Sequence, residues 1–446
     1  MSRPTRRSAR QNLWCEIPVA PSLTGAPGRP PAAAAIGAGG SAVPSRAIPP
    51  DLLAALRRAS PATAHHVHFN HASASLQPET VTEAVELFVR AEGRTGAHAA
   101  LADHREELDD ARCAVADLIG AAPANIAFVG TATHAWGLAL SAAVAGGARH
   151  LTSVRNEWGP NLLNAFRERR DHGLAVRVTE PDRLGRLDPG RYEDAHVPGG
   201  ILAAPLVPTS SGMVNPVEDL AAVARARDAL LFVDAAQAVG QMPVDVLFLG
   251  ADVLVFPSRK WLRGPKGVAV LFASDRALAR MGTPALVDQV GVKWDRDDDF
   301  STNADASRFE SFEHSPAARL GLREAARVAA GVGLDRIQSR IRDLTGYLVA
   351  SFDAAGLPRP LEDTAEATSG ILTFMAPFLD AREVARDLHA RGTFVAAIGR
   401  NYARLALADR GGVEAILRVS VHYINTEQEV DRLIKQVAPF LRRRAG

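Results

Sequence analysis

Two charged residues are predicted to lie at or just after the ends of buried strands, where a charge without a partner destabilises the folded protein. Asp234 ends the apolar run LLFVD, and Lys260 follows the apolar run VLVFP in the segment SRKWLRGPKG. Such runs predict buried strands, and burial disfavours the charged form of a side chain. Desolvation would lower the pKa of the lysine and make its amine a nucleophile. The carboxylate would need a cation or strong donors to stay ionised.

Both residues also have an alternative interpretation. Asp234 could cap a following helix, and Lys266 competes with Lys260 as the reactive amine. Lys266 precedes Gly267 at the start of the next apolar run, so we expect it to point to solvent. Gln237, one turn after Asp234, could donate a hydrogen bond to an oxygen on a ligand ring.

Further segments could bind anions. The turn at 130–133 joins the apolar run ANIAFVG to a helical pattern, and N–H groups at a helix N-terminus bind phosphate. An ordinary helix cap would give the same pattern. Ser258 and Arg259, beside Lys260, could contact the same phosphate. Arg418 lies in the strand pattern ILRVSVHY and could bind a carboxylate through two parallel hydrogen bonds, although a surface arginine is the alternative.

The segments around these residues predict an α/β fold. Short runs rich in Val, Leu and Ile alternate with helical patterns, namely HLTSV, ILAAPLV, ALLFVDA, VLVFPS and GVAVLFA. Near-continuous apolar strands separated by helices indicate a buried, mainly parallel sheet. Ligands bind such sheets at the carboxyl ends of their strands, which is where the candidate residues lie.

Composition and patterning predict three regions along the 446 residues. Residues 1–66 form a flexible tail rich in Pro, Ala and Gly, because such a segment buries too little apolar surface to become ordered. Residues 67–295 form a large α/β domain. Residues 296–446 form a polar linker, a long helix and a smaller C-terminal α+β domain, since one core rarely holds so long a chain.

The charge balance disfavours several kinds of partner. The chain has 51 basic and 50 acidic residues, so no net field attracts nucleic acid or an anionic membrane. No run reaches the roughly 18 apolar residues of a membrane helix. The opening MSRPTRRSAR lacks a following apolar run, so we expect no secretory signal and a cytoplasmic location. HHVH at 65–68 has no accompanying ligand set, so no metal site is expected.

Taken in order, these motifs resemble the class V aminotransferase family. Its members are fold-type I enzymes that use pyridoxal 5'-phosphate (PLP), and they include cysteine desulfurases, kynureninases and isopenicillin-N-epimerase-like proteins. The motifs VDAAQ and SRKWLRGPKG carry most of the resemblance, which extends from about residue 68 to the C-terminus.

The resemblance implies a role for each matching residue. Lys260 would bind the cofactor covalently and move protons, and Asp234 would pair with the pyridinium nitrogen. The other cofactor contacts would come from Thr131, Ala132, Thr133, Trp158, Thr209, Gln237, Ser258 and Arg259. The loop residues Asn70, His71 and Ala72 would contact the substrate, and Arg418 would hold its carboxylate. The resemblance also implies a homodimer with active sites between the subunits.

Departures from the family pattern bear on the reaction. Cys15 and Cys113 are the chain's two cysteines, whereas desulfurases use a cysteine in the C-terminal third. Persulfide formation is therefore not expected, and Cys113 is predicted to be a buried helical residue. RFESFEHSPAARLGL replaces the family's Gly-Thr-Pro, which leaves Ser315 as a weak substitute for a phosphate contact from the neighbouring subunit.

We therefore predict a carbon–sulfur lyase that acts by β-elimination on an S-substituted cysteine. Aminotransfer, oxidative deamination and epimerisation are the alternatives, because they share the first chemical steps. A non-catalytic PLP-fold binding protein is disfavoured because both Asp234 and Lys260 are present.

Overall fold

Strands and helices alternate along the chain, as the apolar runs predict. The computed structural model describes residues 47–195, 197–361, 369–375, 379–408 and 413–442. The strands are β1 (Val67–His68), β2 (Ile126–Val129), β3 (His150–Val154), β4 (Ala175–Thr179), β5 (Ile201–Pro205), β6 (Leu230–Asp234), β7 (Val253–Pro257), β8 (Ala269–Ala273), β9 (Val292–Arg296), β10 (Asp299–Thr302), β11 (Ile371–Phe374), β12 (Thr393–Phe394), β13 (Ala396–Gly399) and β14 (Ala415–Ser420). The helices are α1 (Pro50–Arg58), α2 (Glu79–Thr95), α3 (Ala97–Asp103), α4 (Arg105–Ile119), α5 (Ala132–Ala145), α6 (Gly159–His172), α7 (Pro189–Ala195), α8 (Val217–Ala226), α9 (Asp275–Arg280), α10 (Pro316–Val332), α11 (Leu334–Ala354), α12 (Ala381–Ala390), α13 (Arg400–Ala403) and α14 (Glu427–Leu441).

A seven-stranded sheet forms the centre of the fold, in the order β2-β8-β7-β6-β5-β3-β4. The strands from β3 to β7 pair in parallel, whereas β8 runs antiparallel to both β7 and β2. Every residue of β5, β6 and β8 is buried. This burial on both faces explains why their sequences are continuous apolar runs. The predicted α/β class with a mainly parallel sheet is confirmed.

Helices cover both faces of this sheet. In β6, Leu231 and Val233 pack in one hydrophobic core, whereas Leu230 and Phe232 pack in a second core on the opposite face. Side chains alternate between the faces of a strand, so each apolar run supplies both cores at once. Burial of each such side chain stabilises the folded protein by about 1.5–3 kcal/mol. The strands, and with them their ends, are therefore held in fixed positions.

A second, antiparallel sheet lies in the C-terminal part of the chain, in the order β11-β14-β13. Its core is shared with α11, α12 and α14. The last helix begins with a capping box, in which Thr426 and Glu429 each bond the backbone of the other. Strand β1 pairs with β12, so the chain just before the first candidate loop joins this C-terminal region.

The expected tail is shorter than predicted. Residues 50–64 form α1 and a short 3-10 helix, Pro61–Ala64, which bury Leu56. Arg57 donates hydrogen bonds to the carbonyl of Ile424 at 2.6 Å and to Glu429 at 2.8 Å. The prediction of a tail is therefore wrong for residues 47–66, because these contacts come from a partner remote in sequence. Residues 1–46 of the predicted tail lie outside the described residues.

The division at residue 295 stays a prediction. Residues 46–446 group into one compact unit. Helix α10, on the C-terminal side of the predicted boundary, packs against α2 and α4 on its N-terminal side. The polar stretch after residue 295 contributes β10, which pairs with β9 as a hairpin.

Several smaller expectations can be compared with the structure. Cys113 is exposed on α4 rather than buried, because its neighbours Ala111 and Val115 face the core instead; Cys15 lies outside the described residues. Across the described ranges, no helix combines the length and apolar character needed to cross a membrane. Nor does this part of the chain contain a group of three or more potential metal ligands.

Candidate active site

A cleft with about 750 Å³ of space opens at the edge where the central strands end. Pro205, Asp234 and Pro257, the last residues of β5, β6 and β7, all line it. The predicted site residues that it brings together are Thr131, Ala132, Thr133, Trp158, Thr209, Asp234, Gln237, Arg259 and Lys260. The parallel order of the strands explains this convergence, because parallel strands present their carboxyl ends on one side.

Asp234 is held by two donors on its two oxygens. The Ala236 N–H donates to Oδ1 and the Asn161 amide donates to Oδ2, both at 2.8 Å. Burial raises the pKa of this carboxyl, and the nearby Lys260 opposes that rise. The described chain after Asp234 continues as a turn rather than a helix, so the residue is not a helix cap. A buried, oriented carboxylate can instead pair with a cationic ligand.

Lys260 is buried in the cleft, and its Nζ lies 5.8 Å from the centroid of the Trp158 ring. Burial lowers the pKa of its amine to about 7; Asp234 opposes this shift, whereas Arg259 and Arg418 reinforce it. A large fraction of the amine is therefore unprotonated and nucleophilic at neutral pH. Lys266 is exposed, as predicted.

The turn before α5 forms the opposite end of the cleft. Thr131 caps this 14-residue helix, and its hydroxyl accepts a hydrogen bond from the His134 N–H at 3.0 Å. The first N–H groups of a helix have no partner within it and carry the positive end of its dipole. Thr131 can therefore cap the helix while the other N–H groups of the first turn bind an anion, because its hydroxyl uses only one of these donors. Arg259 adds a positive charge to the cleft lining.

Trp158 forms one wall of the cleft. Its ring stacks on Tyr402 with a centroid separation of 5.7 Å and an interplanar angle of 9°. Tyr402 lies on the short helix α13 and was not predicted as a site residue. No sequence signal identifies it, because its role depends on a contact with a residue more than 200 positions earlier. The stacked pair gives a flat aromatic surface beside Lys260.

Arg418 is a buried cation, with 2% of its surface exposed. One terminal nitrogen donates to the Thr209 hydroxyl at 2.5 Å and the other to the Ser73 hydroxyl at 2.7 Å, while Nε has no partner. No carboxylate of the described residues pairs with it; burial and the nearby Arg259 lower its pKa to about 9. Since an unpaired buried charge is unfavourable, this arrangement fits an anionic ligand. The surface-arginine alternative is wrong.

Gln237 is oriented by its neighbours. Its Oε1 accepts a hydrogen bond from the Trp261 indole at 2.8 Å, which directs the amide nitrogen toward Thr209 and the Ala72 carbonyl. The Ala72 backbone N–H donates in turn to Ser420 at 3.0 Å. Ala72 therefore borders the site through its backbone, and both N–H groups of the Gln237 amide are engaged at the edge of the cleft.

Five predicted residues are not among those that line the cleft, namely Asn70, His71, Ala72, Ser258 and Arg418, although Ala72 and Arg418 bond the lining residues Gln237 and Thr209. The ring nitrogens of His71 bond Ser75 and the His68 carbonyl, and its ring stacks on His422 in the interior. Asn70 forms a backbone bridge to the C-terminal sheet. The hydroxyl of Ser258 donates to the Pro265 carbonyl. The burial and hydrogen bonds of His71 and Ser258 correct the expectation that these two side chains face the substrate and the phosphate. Contact of Asn70 with the substrate stays a prediction, because its side-chain Oδ1 has no partner in the described chain.

Ser315 has a local function in this structure. Its hydroxyl accepts a hydrogen bond from the Ala318 N–H at 3.2 Å and caps α10. The contact with a phosphate of a neighbouring subunit stays a prediction.

Glu157 is a second buried carboxyl beside Asp234, and the sequence patterns did not reveal it. Its Oε1 accepts hydrogen bonds from the Trp158 N–H at 2.7 Å and from the Asn161 amide at 3.1 Å, while Oε2 has no partner. The same Asn161 nitrogen bonds Asp234, so one amide links the two carboxyls. Burial, reinforced by Asp234, raises the pKa of Glu157 to about 8. Tyr192 of α7 also faces it.

We expect Glu157→Gln to raise the melting temperature, and the gain to widen between about pH 5 and about pH 8. The folded protein keeps a proton on Glu157 up to about pH 8, whereas an unfolded chain releases it above about pH 4.5. Stability therefore falls with rising pH across this window, and a neutral amide removes that loss. Thermal unfolding of the wild-type and Glu157→Gln proteins without cofactor measures this difference in melting temperature. Glu83→Gln, which changes an exposed side chain on α2, is the control. A lower melting temperature for Glu157→Gln at pH 7 would contradict a protonated Glu157.

The cleft residues fit a phosphorylated pyridine aldehyde. The amine of Lys260 suits an aldehyde, the carboxylate of Asp234 suits a pyridinium nitrogen, and the Trp158 ring suits a flat heterocycle. The N-terminus of α5 suits a phosphate at the other end. When bound, such a cofactor withdraws electrons from the Cα of an amino acid, so that a bond at this carbon can break.

Comparisons with known proteins agree with this fit. A family model described as aminotransferase class-V matches residues 67–433. A probable cysteine desulfurase of Methanothermobacter thermautotrophicus is 30% identical over 392 residues, which cover 85% of this chain and 95% of that protein. The solved apo structure of a cysteine desulfurase from Thermococcus onnurineus NA1 has a TM-score of 0.79 and 25% identity, and covers 87% of this chain and 98% of that one.

A complex of the cystine C–S lyase C-DES with its reaction product, cysteine persulfide, shares the fold with a TM-score of 0.76. Its identity is 19%, over 85% of this chain and 99% of that chain. The matched region contains the whole central sheet and the candidate cleft. The chain is therefore a PLP-dependent enzyme with the fold-type I architecture, and it belongs to the class V aminotransferase family.

Proposed function

We propose that this enzyme is a carbon–sulfur lyase that cleaves the Cβ–S bond of an S-substituted cysteine by β-elimination. The observation that carries the proposal is the composition of the cleft. It contains the basic Lys260, its lining residue Thr209 accepts a hydrogen bond from the buried Arg418, and no cysteine is among its described lining residues. Sulfur then leaves with its substituent as a thiol instead of passing to a protein thiolate. Hydrolysis of the remaining fragment yields pyruvate and ammonia.

The residues of the chain divide the work of this reaction. Arg418 binds the α-carboxylate, replacing its present contacts to hydroxyl groups with a charge-assisted pair. Lys260, with a pKa of about 7, takes the Cα proton and returns a proton to the departing sulfur. Asp234 stabilises positive charge on the cofactor ring. The Trp158 ring, which lines the cleft beside Lys260, offers a flat surface to the cofactor ring.

Cysteine desulfurase is the second candidate, and the names of the relatives favour it. Desulfuration needs a thiolate acceptor near the substrate sulfur. Cys113 is exposed on α4 and does not line the cleft, while Cys15 lies outside the described residues. The two candidates share Cα proton removal and differ in what accepts the sulfur.

A product assay separates these reactions. Purified enzyme with PLP is incubated with cysteine, cystine, S-substituted cysteines and their sulfoxides. We expect equal amounts of pyruvate, ammonia and thiol from an S-substituted cysteine. Alanine plus a persulfide from cysteine, released as sulfide when dithiothreitol is added, would indicate a desulfurase. With an added acceptor keto acid, a new keto acid without ammonia would indicate an aminotransferase; hydrogen peroxide with ammonia would indicate an oxidative deaminase, and a D-amino acid an epimerase.

The replacement Arg418→Lys should raise KM for the amino acid by about 30-fold, while the cofactor's visible spectrum stays unchanged. Losing one partner of a desolvated charge pair costs about 2 kcal/mol or more, and lysine cannot form the two parallel bonds of a guanidinium. Steady-state kinetics measures the effect, and the exposed Arg432→Lys on α14 is the control. Unchanged kcat/KM in both Arg418→Lys and Arg418→Ala would exclude Arg418 from substrate binding.

We also propose that the enzyme acts as a homodimer in the cytoplasm. Exposed apolar side chains support the assembly, among them Leu87 on α2 and Trp294 on the β9–β10 hairpin, which is 77% exposed. Such side chains lose unfavourable exposure to water when they are covered by a second subunit. The charge balance supports no nucleic-acid partner.

A further inference from the structure

A second cavity, the distal cavity, has about 780 Å³ of space and lies outside the residues assigned to the cofactor. Polar residues form one side of it, and an apolar wall from residues 405–407 and β14 forms the other. The polar side consists of Arg155, Asn156, Glu180, Gly185, Ser210 and Ser211. None of these residues has a role in the reaction steps above.

Two loops connect the distal cavity with the active-site cleft. Asn156 lines the distal cavity, and Trp158, two residues later, lines the cleft. In the same way, Thr209 lines the cleft and the next residue, Ser210, lines the distal cavity. The two spaces are therefore separated by the width of a loop.

Strand β14 makes the same connection on the substrate side. Arg418 binds Thr209 at the cleft, and Ile416 of the same strand lines the distal cavity. Residues two apart on a strand face the same side and lie about 7 Å apart. A substrate whose carboxylate is held by Arg418 is therefore bound on the face of β14 that also lines the distal cavity.

The distal cavity contains buried polar atoms without partners. Asn156 is 5% exposed and Ser211 is 9% exposed. The Asn156 amide donates to the Gly185 carbonyl at 2.7 Å, whereas its Oδ1 and the Ser211 hydroxyl have no hydrogen-bond partner. A buried polar atom left unpaired costs about 1–3 kcal/mol, so both atoms favour a ligand that bonds them. Oδ1 can only accept, and it thus selects an N–H or O–H donor.

The rest of the lining restricts the ligand further. Arg155 and Glu180 pair with each other at 3.1 Å, so this part of the wall carries no net charge. Leu405, Leu407 and Ile416 supply an apolar surface opposite the polar atoms. The distal cavity is complementary to a group with an apolar stem and a hydrogen-bond donor at its end.

We propose that the distal cavity binds the sulfur substituent of the substrate, so that the substrate is a cysteine S-conjugate with a long substituent that ends in a donor. This inference rests on the proposed lyase function. The substituent must extend past the loops that separate the two spaces, so a chain of several atoms is required. Small substituents leave the distal cavity to water and bind more weakly.

The kinetic test compares S-(5-hydroxypentyl)-L-cysteine with S-pentyl-L-cysteine and S-methyl-L-cysteine. We expect the hydroxyl to lower KM by about fivefold to tenfold relative to the pentyl compound, with kcat unchanged, because it adds one hydrogen bond far from the reacting atoms. Ser211→Ala and Asn156→Leu should each reduce this preference. Ala406→Phe, which fills the apolar wall, should remove the advantage of both long substituents over methyl. The control is Ala408→Phe, an exposed position of the same segment.

A binding measurement without turnover keeps the two proposals apart. In 2-amino-9-hydroxynonanoic acid a methylene replaces sulfur, so elimination is impossible; calorimetry on the holoenzyme compares it with 2-aminononanoic acid. Tighter binding of the hydroxylated compound, lost in Ala406→Phe and kept in Ala408→Phe, supports the distal cavity even if no cysteine conjugate releases pyruvate. Equal affinities of the wild-type enzyme for the hydroxylated and the plain nonanoic acid would overturn the inference even if elimination is observed. Equal effects of Ala406→Phe and Ala408→Phe on these affinities would also overturn it.

Discussion

Lys260→Ala should lose covalent attachment of PLP and should lower turnover by about a thousandfold or more. Its amine is the only one among the described cleft residues, and burial brings its pKa to about 7. The same group is therefore suited both to bond the aldehyde and to transfer the Cα proton, and positioned proton transfer alone contributes about 10²–10⁴-fold. Exchange of the Cα proton of the amino acid in D₂O measures this step whichever reaction follows.

Lys266→Ala is the matched control, because Lys266 is exposed six positions later. Borohydride reduction and peptide mapping of the wild-type enzyme should place the pyridoxyl group on Lys260, and Lys266→Ala should keep both label and turnover. A label on Lys266 would show that the buried amine is not the reactive one.

Asp234→Asn should lower the rate of Cα proton exchange by about 10²–10³-fold and still allow the cofactor to be reduced onto Lys260. The amide keeps the size of the side chain but removes the charge that stabilises a protonated ring nitrogen. A preoriented charge or donor in a water-excluded site contributes about this much to a rate. The effect arises because Asp234 is fixed by the Ala236 N–H and by Asn161, so water cannot replace it at low cost.

The control for this substitution is Asp245→Asn, an exposed aspartate whose carboxylate caps the turn at 245–248. It should leave the exchange rate and the cofactor spectrum unchanged. Melting temperatures of both variants separate loss of folding from loss of charge. A near-normal exchange rate in Asp234→Asn would mean that another group pairs with the ring nitrogen. Glu157, whose carboxyl is bonded to the same Asn161 amide, would then be the first candidate.

The sequence by itself determined the fold class and the positions of Asp234 and Lys260 at and after the ends of neighbouring strands. Strands such as LLFVD and VLVFP are apolar at every position because both faces of the central sheet are covered. This local pattern is enough to place Asp234 and Lys260 at strand ends, and parallel order then brings them together. The exposure of Lys266 was predictable for the same reason, since it lies outside any apolar run. The local sequence pattern is therefore sufficient to predict this part of the site.

The tertiary structure decided which side chains complete the site. Tyr402 stacks on Trp158, and Ser73 bonds Arg418, through contacts between residues hundreds of positions apart. His71 has the same polar character as a substrate ligand, but its stacking on His422 turns it inward. Periodicity reports burial and secondary structure, but not which distant residue a side chain meets.

The same limit explains α1 and the distal cavity. Helix α1 is ordered by the contacts of Arg57 with Ile424 and Glu429, which the composition of the first 66 residues does not reveal. The distal cavity forms where the loops after β3, β4 and β5 meet β14 and the segment at 405–407. Its unpaired atoms exist only because five separate segments enclose them, and the free energy of burying an unbonded polar atom depends on that enclosure. The local sequence fixed where the reactive groups emerge from the sheet, and only the packing of remote segments decided what surrounds them.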